Sequence, residues 1–573
     1  MRFQLSILLL LHLPVRHQYV QALQANANFG RLCDDQRLLM IEQNPSLAND
    51  TLLECRDGYE PSKPPAKAIY ATVSSCLEEC PGYAATDHNV MSQWIGPLVG
   101  FLLPDLAFVM SIPRAIKIPR GEEWFAKWRW RSYAWLVIAL VLMLFDIIFW
   151  FIAVFAFAGP LIAGAIHETL IEHAVLRYAN ESGDPDAATA ALTFALVGSL
   201  DPYEGNLANR IRNELRGSTN ARRKLRVLVD LPPSYGMRVG IPIVFYTGAY
   251  AYALADANMK RGDNDTAHAV AFGLWYGVIV IVAIMSSIPL GIDNPASLEA
   301  IFSDEEESHD DNGHTEATDD LRTFTANTAM PVEEPATTSL FHCMQSTAYH
   351  FHSSSFRIVW LWKRAYILRK WAEEMPLPST HVAKMINSHV PRIVSGVIAA
   401  SLIGLICAGA CWISYQTPSV GFGCRSVSHL TYAISQIILI GVWWLWYSAR
   451  TIAQKEESSF SISSIPVYLL TSLALLASLS ASIGGTIMQL VGVFHSCICM
   501  ASLRYLLPSL RNDGMVLVNS DTAAHRKNSR WWLIIGGCGI GLISLLGLVG
   551  WMYQARLREK SRQLLARRTM VKA

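Results

Sequence analysis

Charged side chains are scarce in this chain: Asp, Glu, Lys and Arg make up 16% of its 573 residues, against 52% hydrophobic residues. Water-soluble domains need a charged surface, so this shortage favours a lipid bilayer as the main solvent and partner of the protein. A net charge of +1 also falls far short of the basic field that nucleic-acid-binding proteins use, and we expect no nucleic-acid partner.

Several sequence motifs that indicate catalysis or nucleotide binding are absent as well. The sequence has no glycine-rich phosphate loop, no local Ser-His-Asp motif and no ATP-binding cassette. Nucleotide-driven transport and the common hydrolase mechanisms therefore have no support. Duplicated halves, on which many transporters are built, are not detectable, and this argues against a transporter without excluding one.

Long apolar runs are what the sequence has instead. Runs of about 18 to 25 residues are long enough for a helix to span the hydrocarbon core. Because only a helix satisfies its own backbone hydrogen bonds within one such segment, we predict an all-α, polytopic transmembrane helix bundle. Its eight clear spans are Gln93–Pro113, Tyr133–Phe157, Val239–Ala257, His268–Gly291, Ile393–Ile413, Leu430–Tyr447, Ile465–Val491 and Trp531–Trp551.

Composition divides the chain around these spans. A basic start, an apolar stretch and small residues near position 25 predict a cleaved signal peptide, with a retained signal anchor as the alternative. The loop between the two groups of spans begins acidic and ends in alternating aromatic and basic residues, typical of an interfacial helix. The predicted segments are a signal peptide (1–25), an ectodomain (26–91), a first transmembrane group (92–292), a cytoplasmic loop (293–391), a second transmembrane group (392–552) and a basic cytoplasmic tail (553–573).

Cysteine use points to an oxidising compartment. Four of the eleven cysteines lie in the predicted ectodomain, which suggests two disulfides with three possible pairings. Zinc binding is disfavoured because no His stands at a matching offset, and we predict no metal. Further along, Cys497 and Cys499 suit either a redox or metal pair or a disulfide with a partner such as Cys424. The four ectodomain cysteines are Cys33, Cys55, Cys76 and Cys80.

The basic loops require one more crossing than the eight clear spans provide. Residues 114–131 and 210–226 are both strongly basic and both predicted to be cytoplasmic, although one clear span separates them. Either the short apolar segment Ala187–Leu200 crosses the membrane, or the stretch Tyr133–Ile166 folds back around Gly159 and Pro160. We favour the crossing at Ala187–Leu200, which gives nine crossings in total.

The favoured topology places three glycosylation sequons on the lumenal side. Each is an Asn-x-Ser/Thr triplet, a pattern that also occurs by chance. With this topology the basic segments and the C-terminal tail all become cytoplasmic, as the charge rule for loops expects. The sequon asparagines are Asn49, Asn180 and Asn264.

Acidic residues inside apolar spans are the main candidates for chemistry, because insertion of each one costs about 2.5 to 3.5 kcal/mol. Asp146 lies in the middle of the second span, Asp105 lies in the first span after Pro104, and Asp256 lies near the end of the third. A buried carboxyl of this kind can bind a cation, relay a proton or act as a general acid. The structural alternative is a carboxyl that is hydrogen-bonded to a neighbouring helix.

A second cluster, His167, Glu168, Glu172 and His173, follows the second span. Glu168 and Glu172 share a helix face, so three ligands for a divalent metal are conceivable there. The spacing is not that of a zincin, which needs two His at i and i+4. A solvated helix end is the favoured interpretation, and we predict no cofactor.

Residues 262–275 (GDNDTAHAVAFGLW), 294–299 (NPASLE) and 357–364 (RIVWLWKR) resemble a group of uncharacterised fungal polytopic membrane proteins. The resemblance covers the middle third of the chain and brings no catalytic residue with it. Some proteins of this group are encoded beside natural-product biosynthesis genes, which implies a role with a lipophilic small molecule.

Three functions follow as hypotheses. In the first, the bundle is an enzyme or accessory protein in the biosynthesis of a lipophilic, isoprenoid-like secondary metabolite, with Asp146 or Asp105 as proton donor. In the second it transports a small solute or ion with the same aspartates. In the third it is a membrane receptor. The expected location is the endoplasmic reticulum, another endomembrane or the plasma membrane.

Overall fold

The computed structural model describes residues 28–56, 58–80, 96–111, 131–182, 185–197, 221–230, 235–261, 264–290, 301–302, 388–417, 422–453, 465–501 and 515–571. The predicted signal peptide and nearly all of the predicted loop 293–391 lie outside these residues. Helix predominates in the described parts, as the sequence predicts.

The described residues form helices and one small sheet. Strands β1 (Tyr70–Thr72) and β2 (Met515–Leu517) pair antiparallel. Single π-helical turns cover Gly96–Leu102, Gly236–Gly240 and Ser480–Gly484. The α-helices are α1 (Asn28–Gln43), α2 (Val73–Glu79), α3 (Leu103–Ser111), α4 (Arg131–Ala156), α5 (Ala158–Ser182), α6 (Pro185–Val197), α7 (Ala221–Asp230), α8 (Ile241–Met259), α9 (Asn264–Ser286), α10 (His389–Gln416), α11 (Cys424–Ala453), α12 (Ile465–Leu479), α13 (Gly485–Val491), α14 (Cys497–Met500) and α15 (Ala523–Val571).

Five helical segments of the described chain are long and apolar enough to cross a membrane: α9, α10, α11, α12 with α13, and α15. Except for α9, these helices carry exposed large apolar side chains such as Leu405 and Leu469, which suits contact with lipid. The other three predicted spans differ. The described part of Gln93–Pro113 contains the short apolar helix Leu98–Val109, α4 bends by 80° into α5, and α8 carries Asp256 and several tyrosines in 19 residues.

Helix α9 forms the centre of the bundle and is almost completely buried between α5, α8, α10 and α15. Close approach depends on glycines in α15, because a Cβ at Gly536 would lie 2.5 Å from Leu254 and one at Gly539 would lie 2.3 Å from Leu274. Small residues at helix interfaces are the usual means of close packing in membranes. Substitution of either glycine would require the side chain of Leu254 or Leu274 to move.

One end of the bundle, the disulfide end, carries a cap that three distant parts of the chain build together. Cys33 pairs with Cys55, Cys76 with Cys497, and Cys424 with Cys499. The expectation of two disulfides among the four N-terminal cysteines is thus correct for one pair and wrong for the other, and Cys80 is a buried thiol. The reason is that β1 and α2 pack on β2 and α14, which brings Cys497 rather than Cys80 to Cys76.

Asp521 ties this cap together. Its side chain is fully buried, and Arg56 donates to it at 2.9 Å while Arg526 donates to both of its oxygens at 2.7 Å. The backbone N–H of Glu60 adds a fourth bond. Burial raises the pKa of Asp521, but the bonds from Arg526, Glu60 and Arg56 outweigh it and hold that pKa below its usual value. The N-terminal segment is therefore part of the bundle's cap.

The opposite end of the bundle contains a second apolar cluster, formed by the last half of α5, α6, α7 and the final turns of α15. Residues 190–196 of α6 are buried there against protein. The predicted crossing at Ala187–Leu200 is not confirmed: the described part of this segment is a 13-residue helix, which packs beside α15 at this end. Asn180 lies in α5 at the same end, far from Asn49 and the start of α9, so the three sequons do not share one side.

Candidate functional site

A stripe of polar side chains runs along the buried face of α11, the helix that starts at the disulfide-bonded Cys424. Arg425, His429, Tyr432 and Gln436 follow one another at the spacing of one helix face, and each is at most 6% exposed. Burial of four polar side chains in an apolar helix costs free energy unless partners compensate it. Their partners therefore decide what the stripe does.

A second stripe faces it from α12 and α13. Ser478, Ser482, Thr486 and Gln489 are all buried, and Gln489 accepts a hydrogen bond from Arg425 at 3.1 Å. Ser482 and Thr486 donate to the backbone carbonyls four residues earlier, at and beside the π turn. We call the two stripes, with the residues of α9 that touch them, the polar tract.

At the disulfide end the tract reaches a cluster of titratable groups. His495 lies 3.3 Å from Asp265 at the start of α9, and its ring stacks on His268 with centroids 5.8 Å apart. Burial lowers the pKa of His495, Asp265 opposes this effect, and the Arg425 cation adds to it. The charges of Asp265 and Arg425 therefore act on the pKa of His495 in opposite directions.

At mid-depth the tract ends at the break between α4 and α5. Pro160 has no N–H to donate to the carbonyl of Ala156, and that carbonyl instead accepts from Gln436 Nε2 at 2.9 Å and Ser478 Oγ at 3.0 Å. The N–H of Gly159 donates to Gln436 Oε1 at 2.8 Å. In an unbroken helix the N–H of Gly159 would donate to the carbonyl of Phe155. Because this N–H bonds to Gln436 instead, the carbonyl of Phe155 accepts from the hydroxyl of Tyr432. Side chains of α11 and α12 thus replace every backbone bond that the break removes here.

Asp105 lies in α3, which packs against α4, α8 and α9. Its side chain is 0% exposed, and neither carboxyl oxygen has a hydrogen-bond partner among the described residues. It acts electrostatically on the hydroxyl groups of Tyr246 and Tyr276. Tyr276 shares a 2.7 Å bond with Thr486, and because the single Thr486 proton goes to Ser482, Tyr276 is the donor. A chain of hydroxyl groups therefore leads from the tract towards Asp105.

The other acidic candidates differ from Asp105. Asp146 lies in α4, and its side chain is outside those that the structure describes. Asp256 forms an ion pair with Lys260 at 3.1 Å, one helical turn away, and so has its charge compensated. Of the three candidate aspartates, Asp105 alone combines a described side chain with complete burial and oxygens that lack a partner among the described residues.

The His167 cluster lies at the opposite end and is not the solvated helix end that the sequence favours. His167, Glu168 and Glu172 are all at most 4% exposed, because α5 is enclosed by α9, α10 and α11. Glu172 accepts from the N–H of Leu290 at 2.9 Å, and His167 packs on Trp443. The described residues hold no group of three or more His, Cys, Asp or Glu side chains that could bind a metal ion.

Sequence reasoning missed the stripe on α11, although the signal was present. Arg425, His429, Tyr432 and Gln436 recur at i, i+4, i+7 and i+11, which is the period of one helical face inside an otherwise apolar segment. The predicted span began at Leu430, so Arg425 and His429 fell outside it. The partners on the facing stripe recur at a similar helical spacing, at positions 478, 482, 486 and 489.

No family model, curated protein or solved structure matches this chain. The resemblance to fungal polytopic membrane proteins therefore stays a prediction. Function has to be argued from the polar tract and from Asp105.

Proposed function

We propose that the chain is a multi-pass membrane protein that carries a small polar solute through the polar tract, together with a proton taken up by Asp105. The observation that carries this proposal is the completely buried carboxyl of Asp105, whose oxygens have no partner among the described residues. Ionisable groups inside a membrane bundle are costly and usually mark a pathway for a solute or proton. An aspartate with no fixed partner is free to gain and lose a proton during a transport cycle.

The helix break at Phe157 supports the same proposal. In secondary transporters, binding sites lie near the middle of the membrane beside discontinuous helices. Here the break lies at the inner end of the tract, and Gln436 and Ser478 hold its carbonyl ends. The tract thus links a site at mid-depth with the polar groups around Asp265 at the disulfide end.

The orientation belongs to the proposal as well. The disulfides suit an oxidising compartment, lumenal or extracellular, at the capped end, and the basic end of α15 suits the cytosol. Asn49 is exposed on the cap, whereas Asn180 lies at the other end. We expect endoglycosidase treatment to shift the wild-type protein on a gel, Asn49→Gln to reduce that shift, and Asn180→Gln to leave it unchanged.

Transport is testable with the purified full-length protein in liposomes that enclose a pH-sensitive dye. Amino acids, sugars, choline and succinate are added outside one class at a time, and the internal pH is followed. At least one class should drive proton movement, and Asp105→Asn should slow it at least tenfold because the amide cannot carry the proton.

Asp256→Asn is the matched control, because it makes the same chemical change at an aspartate that is already paired with Lys260. It should keep the wild-type rate. Proton movement with none of the four classes, or equal rates in wild type and Asp105→Asn, would contradict the proposal.

A second function rests on the rings around Asp105. Phe101 and Phe108 contact Tyr246 edge-on, with centroids 6.2 and 6.3 Å apart, so a protonated Asp105 would face an aromatic, water-poor site. That surrounding supports an enzyme or accessory protein that protonates an isoprenoid-like metabolite. Metabolite profiling separates the two: Asp105→Asn in a producing host should accumulate precursor for an enzyme, and retain product inside the cell for a transporter.

A further inference from the structure

The outer half of the polar tract contains more hydrogen-bond donors than acceptors. Arg425 is 6% exposed, and its Nε and Nη1 groups have no partner among the described residues. Both ring nitrogens of His429 and the indole nitrogen of Trp275 are also buried without a described partner. Buried donors without an acceptor cost free energy, and so does a buried cation without compensation. The described side chains of this part of the tract do not supply the acceptors that its donors need.

The geometry of Arg425 leaves one complete edge of its guanidinium available. Nη2 carries two hydrogens, one on each edge of the planar group, and Gln489 accepts from Nη2. Whichever of these two hydrogens Gln489 uses, the other edge keeps two parallel N–H donors. The Phe494 ring covers the face of the group at 4.9 Å and does not compete for the edges.

His429 lies within electrostatic reach of this cation, and Trp275 packs on His429. Their ring centroids are 5.1 Å apart, and the charge of Arg425 acts on His429. A neutral His429 donates one N–H, and Trp275 donates its indole N–H. Asp265, at the start of α9, acts electrostatically on Arg425 and lies 3.3 Å from His495.

We propose that Arg425, His429 and Trp275 form the binding site for the carboxylate group of a small organic acid. Two parallel N–H donors of a guanidinium match the two oxygens of a carboxylate, and such paired bonds are among the strongest in proteins. The site offers donors and a positive charge, which excludes a cation or an amine as the group bound here. This inference rests on the proposed function and names its solute: an organic acid anion that enters at the disulfide end.

Binding is testable apart from transport, with the full-length protein in nanodiscs and thermal unfolding as the measurement. The probes are sodium formate and sodium succinate at millimolar concentration, with sodium chloride and inorganic phosphate at equal ionic strength. Wild type should gain thermal stability with the carboxylates in a saturable way. Arg425→Lys keeps the positive charge but removes the two parallel N–H donors, and it should weaken the apparent affinity for the carboxylate at least tenfold. His429→Gln should weaken this affinity less.

Arg177→Lys is the control, because this arginine is exposed at the opposite end and pairs with Glu181. It should bind like wild type. No saturable effect of formate or succinate on wild type, a stronger effect of chloride or phosphate, or unchanged binding in both Arg425→Lys and His429→Gln would overturn the carboxylate site. If a solute without a carboxylate drives Asp105-dependent proton movement, the proposed transport stands and this site fails.

Discussion

Two buried aspartates, Asp521 in the cap and Asp105 in the bundle, have the same exposure and opposite surroundings. Both side chains are 0% exposed. Asp521 receives bonds from Arg56, Arg526 and a backbone N–H, whereas Asp105 receives none from a described residue. A buried carboxylate with every oxygen bonded holds distant segments together. A buried carboxyl with none stabilises nothing, and its presence calls for a functional explanation.

The same contrast separates two buried arginines of the described bundle. Arg392, at the opposite end, has interaction partners and lies near His167 of α5. Arg425, in the polar tract, has donors without a partner among the described residues. Substitutions of these buried polar groups should therefore change the stability of the protein by very different amounts, from a large loss at Asp521 to almost none at Asp105.

Asp521→Asn should have the largest effect. It removes the charge that compensates Arg56 and Arg526, and breaking a buried ion pair on one side costs about 3 to 5 kcal/mol. Thermal unfolding of the detergent-solubilised protein measures the loss. Asp50→Asn, at a solvent-accessible pair with Lys67, is the control and should lose much less stability. Equal losses in the two variants would contradict the role of Asp521.

Gln436→Leu should have the next largest effect. The substitution leaves the N–H of Gly159 and much of the bonding of the Ala156 carbonyl unmatched, which costs about 1 to 3 kcal/mol. Ser435→Ala, which removes a bond within α11 only, should cost less. Thermal unfolding measures both, and an inverse order would mean that the break does not depend on Gln436.

Acidification should have a smaller effect, through His495. Its pKa is lower in the folded protein, so the unfolded chain takes up the proton first and stability falls as the pH drops below the ordinary histidine value of about 6.5. Asp265, His268 and Arg425 are the titratable and charged groups that face it. His495→Gln should flatten the dependence of the unfolding midpoint between neutral pH and pH values near 5. A steeper curve in the variant would contradict this sign.

Asp105→Asn should have the smallest effect on stability and the largest on transport. No bond from a described residue is lost, and the amide has nearly the same size, so we expect a change of about 1 kcal/mol or less in either direction. Thermal unfolding and the liposome assay, done on the same preparation, give both values. A loss of several kcal/mol would mean that Asp105 is structural, like Asp521.

Part of the site could be predicted from the sequence. Asp105 stood out because a carboxyl inside an apolar run is costly wherever its helix packs. The stripe from Arg425 to Gln436 was readable from its spacing, since side chains four and seven residues apart share a helix face. Which of these polar groups are bonded depends on other helices, and the sequence has no record of that.

The crossings were harder to predict than the helices. The charges of the loops required an extra crossing, and the apolar segment Ala187–Leu200 offered one. Burial against protein and burial in lipid both favour apolar residues, so composition alone does not distinguish the two. The alternative at Gly159 and Pro160 lies where the structure bends by 80° between α4 and α5. Proline marks such a break locally because it lacks the N–H, whereas the direction of the chain beyond it is set by packing.

The sequence by itself determined that this protein is a bundle of apolar helices, because hydropathy and backbone hydrogen bonding in lipid depend only on local composition. It also determined which ionisable groups are costly. Only the tertiary structure decided that Cys76 pairs with Cys497 across 421 residues. It also decided that both oxygens of Asp521 accept hydrogen bonds, whereas those of Asp105 have no hydrogen-bond partner among the described residues. Hydrogen bonds and disulfides reach only a few ångströms, so they depend on which distant segments the fold brings together.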